Sequence, residues 1–177
     1  VLAERLLAMG YHPELLNKAS INAMFRAAPL HDIGKVGIPD HILLKPGRLD
    51  AEEWQVMKTH SSIGESVLKA SVANMNAKDQ VIESAIKIAG CHHERWNGTG
   101  YPYGLQGESI PLEARIMSLA DMYDALVTKR PYKDGWTHQA AVDEIVGKKG
   151  TFFDPTVVEA FLQEGDAFKR IAKQYQD

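Results

Sequence analysis

Apolar residues recur every three or four positions along most of this 177-residue chain, and this spacing is the strongest constraint on its fold. One such stripe consists of Ile21, Met24, Phe25 and Ala28, and another runs through positions 81–89. A helix with about 3.6 residues per turn collects residues of this spacing on one face, whereas a strand requires alternation. Sustained alternation is not found in the sequence. The pattern therefore predicts an all-α helical bundle.

Two helix starts are marked by residues that can satisfy free backbone N–H groups. Asp50 followed by Glu53 is a variant of the capping box and predicts a helix that carries Trp54. Asp154 followed by Pro155 predicts a second start, because proline is well tolerated at the first helical position. Both signals agree with the all-α prediction.

Two segments contain too many glycines and prolines to be regular along their whole length. Residues 34–47 include three glycines and two prolines around an apolar centre, which predicts a loop with a short helix in it. Residues 96–107 include Asn97-Gly98 and several further breakers, which predicts an irregular loop. This second loop begins three residues after His93, so it is expected to lie beside that histidine.

Six side chains of the types that bind transition metals occur between positions 31 and 121. They are His31, Asp32, His60, His92, His93 and Asp121. One catalytic zinc commonly takes about three protein ligands, so six residues are better explained by two metal ions. Two ions about 3.5 to 4 Å apart generate hydroxide near neutral pH and stabilise both oxygens of a phosphoester displacement. The set therefore predicts a phosphohydrolase.

The positions of the two carboxylates suggest different roles for them. Adjacent residues cannot share one helix face, but Asp32 can bridge two ions while His31 binds one of them. Asp121 follows the apolar stretch 116–120, where a carboxylate is costly to bury unless it is paired or metal-bound. Nitrogen and oxygen ligands without thiolate favour iron, manganese, zinc, nickel or cobalt and exclude an iron–sulfur cluster.

Composition and charge exclude several classes of function. The net charge of −3 gives no concentrated positive surface for duplex nucleic acid, so long nucleic acid is not an expected partner. A single cysteine, Cys91, excludes an internal disulfide framework and suits the cytoplasm. No apolar run approaches the roughly 18 residues of a membrane span.

The sequence begins inside a helical pattern at Val1, so we expect the natural chain to continue upstream.

Two stretches carry a family resemblance, LHDIGK at 30–35 and HHERWNGTGYP at 92–102. They resemble the HD-GYP subfamily of the HD superfamily of metal-dependent phosphohydrolases, and the similarity extends from about Leu15 to the C-terminus. The resemblance implies one HD-GYP catalytic domain over 1–177, an HD-domain bundle with its glycine-rich GYP loop beside a metal site. It also implies hydrolysis of the bacterial messenger cyclic di-GMP to linear pGpG, and in some members on to GMP.

The resemblance also implies roles for individual residues. Substrate binding is expected from Lys35, Gly100, Tyr101, Asp124, Arg130 and Lys133. Asp32 and Lys35 are the expected catalytic residues, with attack on phosphorus by a hydroxide that bridges the metals. A salt bridge to Asp32 is the alternative role for Lys35. Cys91 and the remaining histidines, His12, His41 and His138, are expected to be ordinary structural or surface residues.

The implied cofactors are two divalent transition-metal ions, with iron or manganese favoured and zinc, nickel or cobalt as alternatives. The family pattern includes an upstream histidine, and in some members a glutamate, which the spacing places before Val1; both together would allow a third metal. The implied partners are cyclic di-GMP or the linear dinucleotide, an upstream sensory domain and a diguanylate cyclase.

Three other functions are compatible with these residues. The first is a catalytically weak module that binds cyclic di-GMP and passes on the signal. The second is an HD hydrolase of another phosphate ester, such as pGpG, a nucleoside monophosphate or an alarmone. The third is a purely structural bundle, for which six ligand-type residues are a poor fit.

Overall fold

The structure, a computed structural model, describes residues 1–73, 79–129 and 134–174. Within these ranges the chain forms only helices and irregular segments, which confirms the all-α prediction. The α-helices are α1 (Leu2–Ala8), α2 (Lys18–Ala27), α3 (Asp40–Leu43), α4 (Ala51–Lys58), α5 (His60–Val72), α6 (Gln80–Cys91), α7 (Leu112–Val127), α8 (His138–Gly147), α9 (Pro155–Gln163) and α10 (Gly165–Gln174). Short 3-10 helices cover Ala28–Leu30, Ile33–Gly37 and Gly107–Ser109.

The helices enclose one large core and one smaller core. Helices α1, α7, α8 and α9 surround the large core, whose fully buried side chains include Leu6, Leu119, Ile145, Val157 and Phe161. Helices α2, α5 and α6 surround the smaller one, which contains Ala27, Leu68 and Ile88. Helix α7 packs on both α6 and α8, so it connects the two cores.

Both predicted helix starts are confirmed. The Asp50 side chain accepts a hydrogen bond from the Glu53 N–H, and the Glu53 side chain accepts one from the Asp50 N–H, which completes the capping box of α4. Asp154 caps α9 through the Thr156 N–H. The stripe at positions 21–28 lies in α2 except for Ala28, which begins the following 3-10 helix, and Phe25 is 78% exposed and therefore does not belong to the core.

The two breaker-rich segments also match their predictions. Residues 34–47 contain the end of a 3-10 helix and the short helix α3, and residues 96–107 form an irregular loop that is closed by an isolated bridge between Asn97 and Gln106. The motif at 31–35 differs from an ordinary α-helical turn. His31 and Asp32 lie between the 3-10 helices Ala28–Leu30 and Ile33–Gly37.

A buried ion pair ties α7 to the start of α9. The Arg115 guanidinium donates to Asp154 Oδ2 at 2.7 Å and to the Tyr11 hydroxyl at 3.0 Å, and the Tyr11 hydroxyl donates to the same carboxylate at 2.8 Å. Arg115 also donates to the Ile110 carbonyl. These bonds satisfy a charge pair that would otherwise be costly to bury, and they fix the position of the helix that carries Asp121.

A close backbone contact seats the His31-Asp32 segment against α5. A Cβ atom on Gly34 would lie 1.9 Å from the carbonyl oxygen of His60 and 2.4 Å from the backbone nitrogen of Gly64. Only glycine allows this approach. It brings the segment that carries Asp32 next to the first turn of α5, which begins at His60.

None of the described helices is both long enough and apolar enough to cross a membrane.

Replacing Gly34 by alanine should therefore be strongly destabilising. We expect Gly34→Ala to lower the free energy of unfolding by about 3 kcal/mol or more, because the added methyl group overlaps backbone atoms that cannot move independently. The matched control is Gly147→Ala at the end of α8, where an added Cβ meets no atom within 4 Å. The control should stay within about 1 kcal/mol of the unaltered protein in urea denaturation. Equal effects of the two substitutions would contradict the close packing.

Candidate metal centre

The six predicted ligands are presented mainly by the ends of helices. His31 and Asp32 lie between two 3-10 helices, and His60 is the first residue of α5. His92 caps the C-terminus of α6 and His93 follows it, while Asp121 lies within α7. Helix ends bring residues from distant parts of the sequence to one place without interrupting the helices themselves.

The six side chains converge on one region of the molecule. One potential ligand atom from each of Asp32, His60, His92 and His93 lies within 4.8 Å of the other three. His31 Nε2 lies 3.3 Å from Asp32 Oδ2 and 3.7 Å from Asp121 Oδ1. The structure therefore brings all six predicted ligands together, while their assignment as ligands remains a prediction.

The Asp32 carboxylate lies between two groups of side chains. Its Oδ2 atom faces His31, and its Oδ1 atom lies 3.4 Å from His60 Nε2 and 4.0 Å from His92 Nε2. The Nε2 atoms of His60 and His93 are 3.1 Å apart. A carboxylate that bridged two cations would need this placement, with one oxygen directed toward each group.

Backbone carbonyls fix the orientation of three of the imidazoles. The Nδ1 contacts are His31 with Ala28 O at 2.9 Å, His60 with Met57 O at 2.7 Å, and His92 with Ile88 O at 2.9 Å. Because a carbonyl oxygen can only accept, each Nδ1 carries the proton and donates it. A ring that is neutral then presents an Nε2 lone pair, and these are the nitrogens that face Asp32. This arrangement is the one in which imidazoles bind metals. The hydrogen bond to Asp32 raises the pKa of His31, so in the absence of a cation its Nε2 can also carry a proton and donate to that carboxylate.

His92 gives the clearest sign that the centre suits a cation. The residue is 1% exposed, and its Nε2 atom is buried without a hydrogen-bond partner among the described residues. Buried polar atoms are nearly always satisfied, so an unsatisfied lone pair beside a carboxylate calls for a ligand. Imidazole nitrogens with carboxylate oxygens fit iron, manganese, zinc, nickel or cobalt.

Burial and charge set the protonation states in the centre. Burial lowers the pKa of His92 to about 4 and that of His93 to about 2, so both rings are neutral at physiological pH. Burial opposes ionisation of Asp32, but hydrogen bonds from His31 and Lys35 outweigh it and hold the pKa of Asp32 well below its usual range. Burial raises the pKa of Asp121. The centre thus combines neutral imidazoles with an ionised carboxylate between them.

Lys35 makes the salt bridge that was expected as its alternative role. Its Nζ atom donates to Asp32 Oδ2 at 2.5 Å. The lysine therefore helps to keep the bridging carboxylate ionised and fixed in place. A contact between Lys35 and substrate, and a direct part in catalysis, remain predictions.

The glycine-rich loop packs directly on the centre. The Tyr101 ring stacks on the His93 ring, with their centroids 4.8 Å apart and their planes at 23°. A Cβ atom on Gly100 would lie 2.3 Å from the Arg95 backbone nitrogen. The chain's own backbone thus requires glycine at position 100, and substrate binding by Gly100 and Tyr101 remains a prediction. The Tyr101–Pro102 peptide bond is cis.

Glu94 holds this loop in place and was not identified as important from the sequence. The side chain is 2% exposed, and its two oxygens accept hydrogen bonds from the backbone N–H groups of Tyr103 at 2.7 Å and Leu105 at 3.0 Å. The signal was the position of the carboxylate between a histidine pair and a loop with many free N–H groups. Glu94 therefore links the loop to the segment that carries the ligands.

The other predicted substrate residues are placed only in part. Asp124 lies one turn after Asp121 on α7, is exposed, and accepts a hydrogen bond from the Thr128 hydroxyl at 3.4 Å. Arg130 and Lys133 lie outside the described residues. The contacts of all three with a dinucleotide therefore stay predictions.

The cysteine and the three histidines that were expected to have structural or surface roles lie outside the cluster of ligand atoms. His138 pairs with the Tyr123 hydroxyl at 2.8 Å and His12 with Glu14 at 2.8 Å, while His41 is exposed. Cys91 is buried, and burial raises the pKa of its thiol to about 12. A thiol in this state is not reactive.

Comparisons with known proteins point to one family. The family model described as HD domain matches residues 5–157. A relative from Vibrio cholerae called cyclic di-GMP phosphodiesterase is 48% identical over 99% of this chain and 36% of its own length. Another from the same organism, 3'3'-cGAMP-specific phosphodiesterase 2, is 43% identical over 92% of this chain and 30% of its own. The chain thus spans well under half the length of these relatives.

A solved structure has the same fold. The crystal structure of a cyclic GMP-AMP specific phosphodiesterase from V. cholerae superimposes with a TM-score of 0.62 over 98% of this chain and 46% of its own, at 19% sequence identity. At this identity the similarity supports the fold alone.

Burial of His92 predicts how the stability of the protein depends on pH. In EDTA, we expect the free energy of unfolding to fall as the pH decreases from 6.5 toward 4. The unfolded chain protonates His92 near its ordinary pKa of 6.5, whereas the folded protein resists protonation until about pH 4. The unfolded state therefore binds more protons in this window, and His92 alone lowers stability by about 2 kcal/mol at pH 5.

Urea denaturation at several pH values measures this effect. The variant His92→Asn should show a smaller loss of stability between pH 6.5 and 5 than the unaltered protein. The exposed-residue control His41→Asn should retain the full loss. An unchanged pH dependence in His92→Asn would show that burial of this ring is not the cause.

Glu94→Gln should loosen the glycine-rich loop. A glutamine has only one side-chain oxygen, so one of the two backbone N–H groups loses its acceptor and the free energy of unfolding falls by about 1 to 3 kcal/mol. Amide hydrogen exchange at Tyr103 and Leu105 should become faster. The control is Glu108→Gln, which alters an exposed carboxylate near the end of the same loop. Unchanged exchange in Glu94→Gln would rule out the anchoring role.

Proposed function

Because the chain belongs to the HD domain family, as its resemblance to the HD-GYP subfamily predicted, we propose that it is a metal-dependent phosphodiesterase of cyclic di-GMP. The expected product is linear pGpG, with further hydrolysis to GMP as a second step. The observation that carries this proposal is the placement of Asp32 between two groups of side chains whose metal-binding atoms face its two oxygens. The relatives named as phosphodiesterases of cyclic dinucleotides support the substrate class.

We assign the ligands to two ions according to these distances. His31, Asp121 and Asp32 Oδ2 would hold one ion. The other would be held by His60, His92, His93 and Asp32 Oδ1. Iron or manganese is the proposed metal, as the HD-GYP resemblance implies. Nitrogen and oxygen donors without thiolate fit both, and they also fit zinc, nickel or cobalt.

A pair of divalent ions supplies an activated water near neutral pH and stabilises the charge that develops on the phosphoryl oxygens. The protein's own residues prepare the place for this chemistry. Lys35 keeps Asp32 ionised, and the backbone carbonyls keep the imidazole protons on Nδ1. The Tyr101 ring stacks on His93 and covers one face of that imidazole. In addition, Lys35 is well placed to contact a phosphate oxygen of the substrate, since 42% of its side chain is exposed.

Beyond these contacts, Asp124, Arg130 and Lys133 are the proposed dinucleotide-binding residues. Arg130 is the strongest candidate for specificity, because a guanidinium forms paired hydrogen bonds with phosphate or with the edge of guanine. Asp124 is exposed on the same helix as Asp121, which agrees with a position at the edge of the pocket.

3'3'-cGAMP is the second candidate substrate. A relative with this specificity is 43% identical to the chain, only slightly less than the relative named for cyclic di-GMP. The two substrates differ in one base and share the same phosphodiester chemistry. A direct comparison of turnover on cyclic di-GMP, 3'3'-cGAMP and pGpG therefore decides among them.

We expect the protein loaded with ferrous or manganous ion under anaerobic conditions to hydrolyse cyclic di-GMP, as followed by chromatography of the products. Asp32→Asn should reduce kcat/KM by at least about 100-fold. Substitution of residues that only hydrogen-bond to metal ligands already reduces activity by about 10- to 100-fold, and Asp32 is proposed as a ligand itself. The control is Asp40→Asn, an exposed carboxylate in α3. Binding of cyclic di-GMP without turnover under either metal would favour the signalling module instead, and absence of both would reject the proposal.

A further inference from the structure

Helix α4 brings two side chains, Trp54 and Lys58, to the glycine-rich loop. Neither residue belongs to the two family motifs or to the predicted metal ligands. Trp54 and Lys58 are four residues apart, so they lie on the same face of the helix. Thr59 ends α4 and also precedes α5, which begins at His60. This short connection fixes α4 relative to the metal centre.

Both side chains lie against Tyr101. The Trp54 ring meets the Tyr101 ring edge to face, with centroids 6.2 Å apart and planes at 83°. The Lys58 Nζ atom lies over the Tyr101 ring, 5.8 Å from its centroid. Tyr101 in turn stacks on His93. A continuous series of ring contacts thus connects α4 to the metal centre.

Trp54 has the exposed surface that a platform for a nucleobase needs. The residue is 45% exposed, whereas a tryptophan that served only the core would be mostly buried. Tyr101 already uses one face against His93, so it has less free surface for a base. Aromatic side chains that stack on bases contribute strongly to binding of single nucleotides and strands, and they tolerate different bases.

Lys58 has the free charge that a phosphate contact needs. The neighbouring lysines on this side are paired, Lys35 with Asp32 and Lys45 with Glu53. Within the described part of the chain, Lys58 belongs to no ion pair, and its ammonium group contacts the Tyr101 ring. An ammonium group that lies beside the metal centre without a carboxylate partner favours an anionic ligand.

We propose that Trp54 and Lys58 form a further wall of the substrate pocket, where the indole stacks on one base of the cyclic dinucleotide and the ammonium contacts its phosphate. The backbones of the two residues are offset by about 6 Å along the helix axis, and both side chains reach the same Tyr101 ring. This inference rests on the proposed function. It assigns both residues to positioning of the substrate, not to the chemical step.

The test uses metal-loaded protein and a phosphorothioate analogue of cyclic di-GMP that resists hydrolysis. Trp54→Ala should raise the Kd for the analogue, and the KM for cyclic di-GMP, by about tenfold, as expected for loss of base stacking. Trp54→Phe should retain most of the affinity. Lys58→Met should weaken binding and reduce its dependence on salt. In each variant kcat should change far less than KM, because the lost contact exists in both the ground state and the transition state.

Two controls separate this role from effects on the helix or on net charge. Gln55→Ala alters an exposed neighbour on α4, and Lys18→Met removes one exposed positive charge from α2. Both should leave Kd and KM unchanged. The metal content of Trp54→Ala and Lys58→Met should equal that of the unaltered protein, and a lower metal content would assign the residues a structural role and overturn the inference.

Tryptophan fluorescence provides a readout that does not depend on the alanine variant. The analogue should quench emission of the unaltered protein, and Trp54→Phe should lose this quench while still binding the analogue in calorimetry. Normal Kd values in Trp54→Ala and Lys58→Met would overturn this inference and leave the phosphodiesterase proposal intact. Failure of the unaltered protein to bind the analogue would instead reject the proposed function itself.

Discussion

The placement of Asp32 between His31 on one side and His60 and His92 on the other is the interaction on which the rest of the site depends. The carboxylate faces His31 with one oxygen and His60 with the other, and it stays ionised because His31 and Lys35 donate to it. This position requires the close contact of Gly34 with the first turn of α5, which leaves no room for a side chain. A small residue in a 3-10 turn thus determines whether ligands from four parts of the chain meet.

The same centre contains a source of instability. His92 is buried and His93 is half-buried, both as neutral rings, and the His92 Nε2 atom has no hydrogen-bond partner among the described residues. Such an arrangement is unfavourable for the protein alone and favourable with a cation, so metal binding and stability should be coupled. Glu94 and the Arg115–Asp154 pair contribute hydrogen bonds around the centre that offset part of this cost.

The sequence predicted the features that depend on local chemistry. Helix starts at Asp50 and Asp154 follow from side chains that bond to neighbouring N–H groups. Residue type and spacing also selected the six candidate ligands, which the structure brings into one region. Features that depend on contacts between distant segments were missed. The stacking of Tyr101 on His93 and the approach of Trp54 require the position of α4 relative to the loop, which no local pattern contains. The exposure of Phe25 was likewise decided by how α2 packs.

An anomalous-difference electron-density map of the protein crystallised with manganous or ferrous ion tests the central claim most directly. We expect two peaks, one in contact with each oxygen of Asp32. The first should be flanked by His31 and Asp121, and the second by His60, His92 and His93. A single peak, or two peaks that do not share Asp32, would contradict the bridging role of this carboxylate.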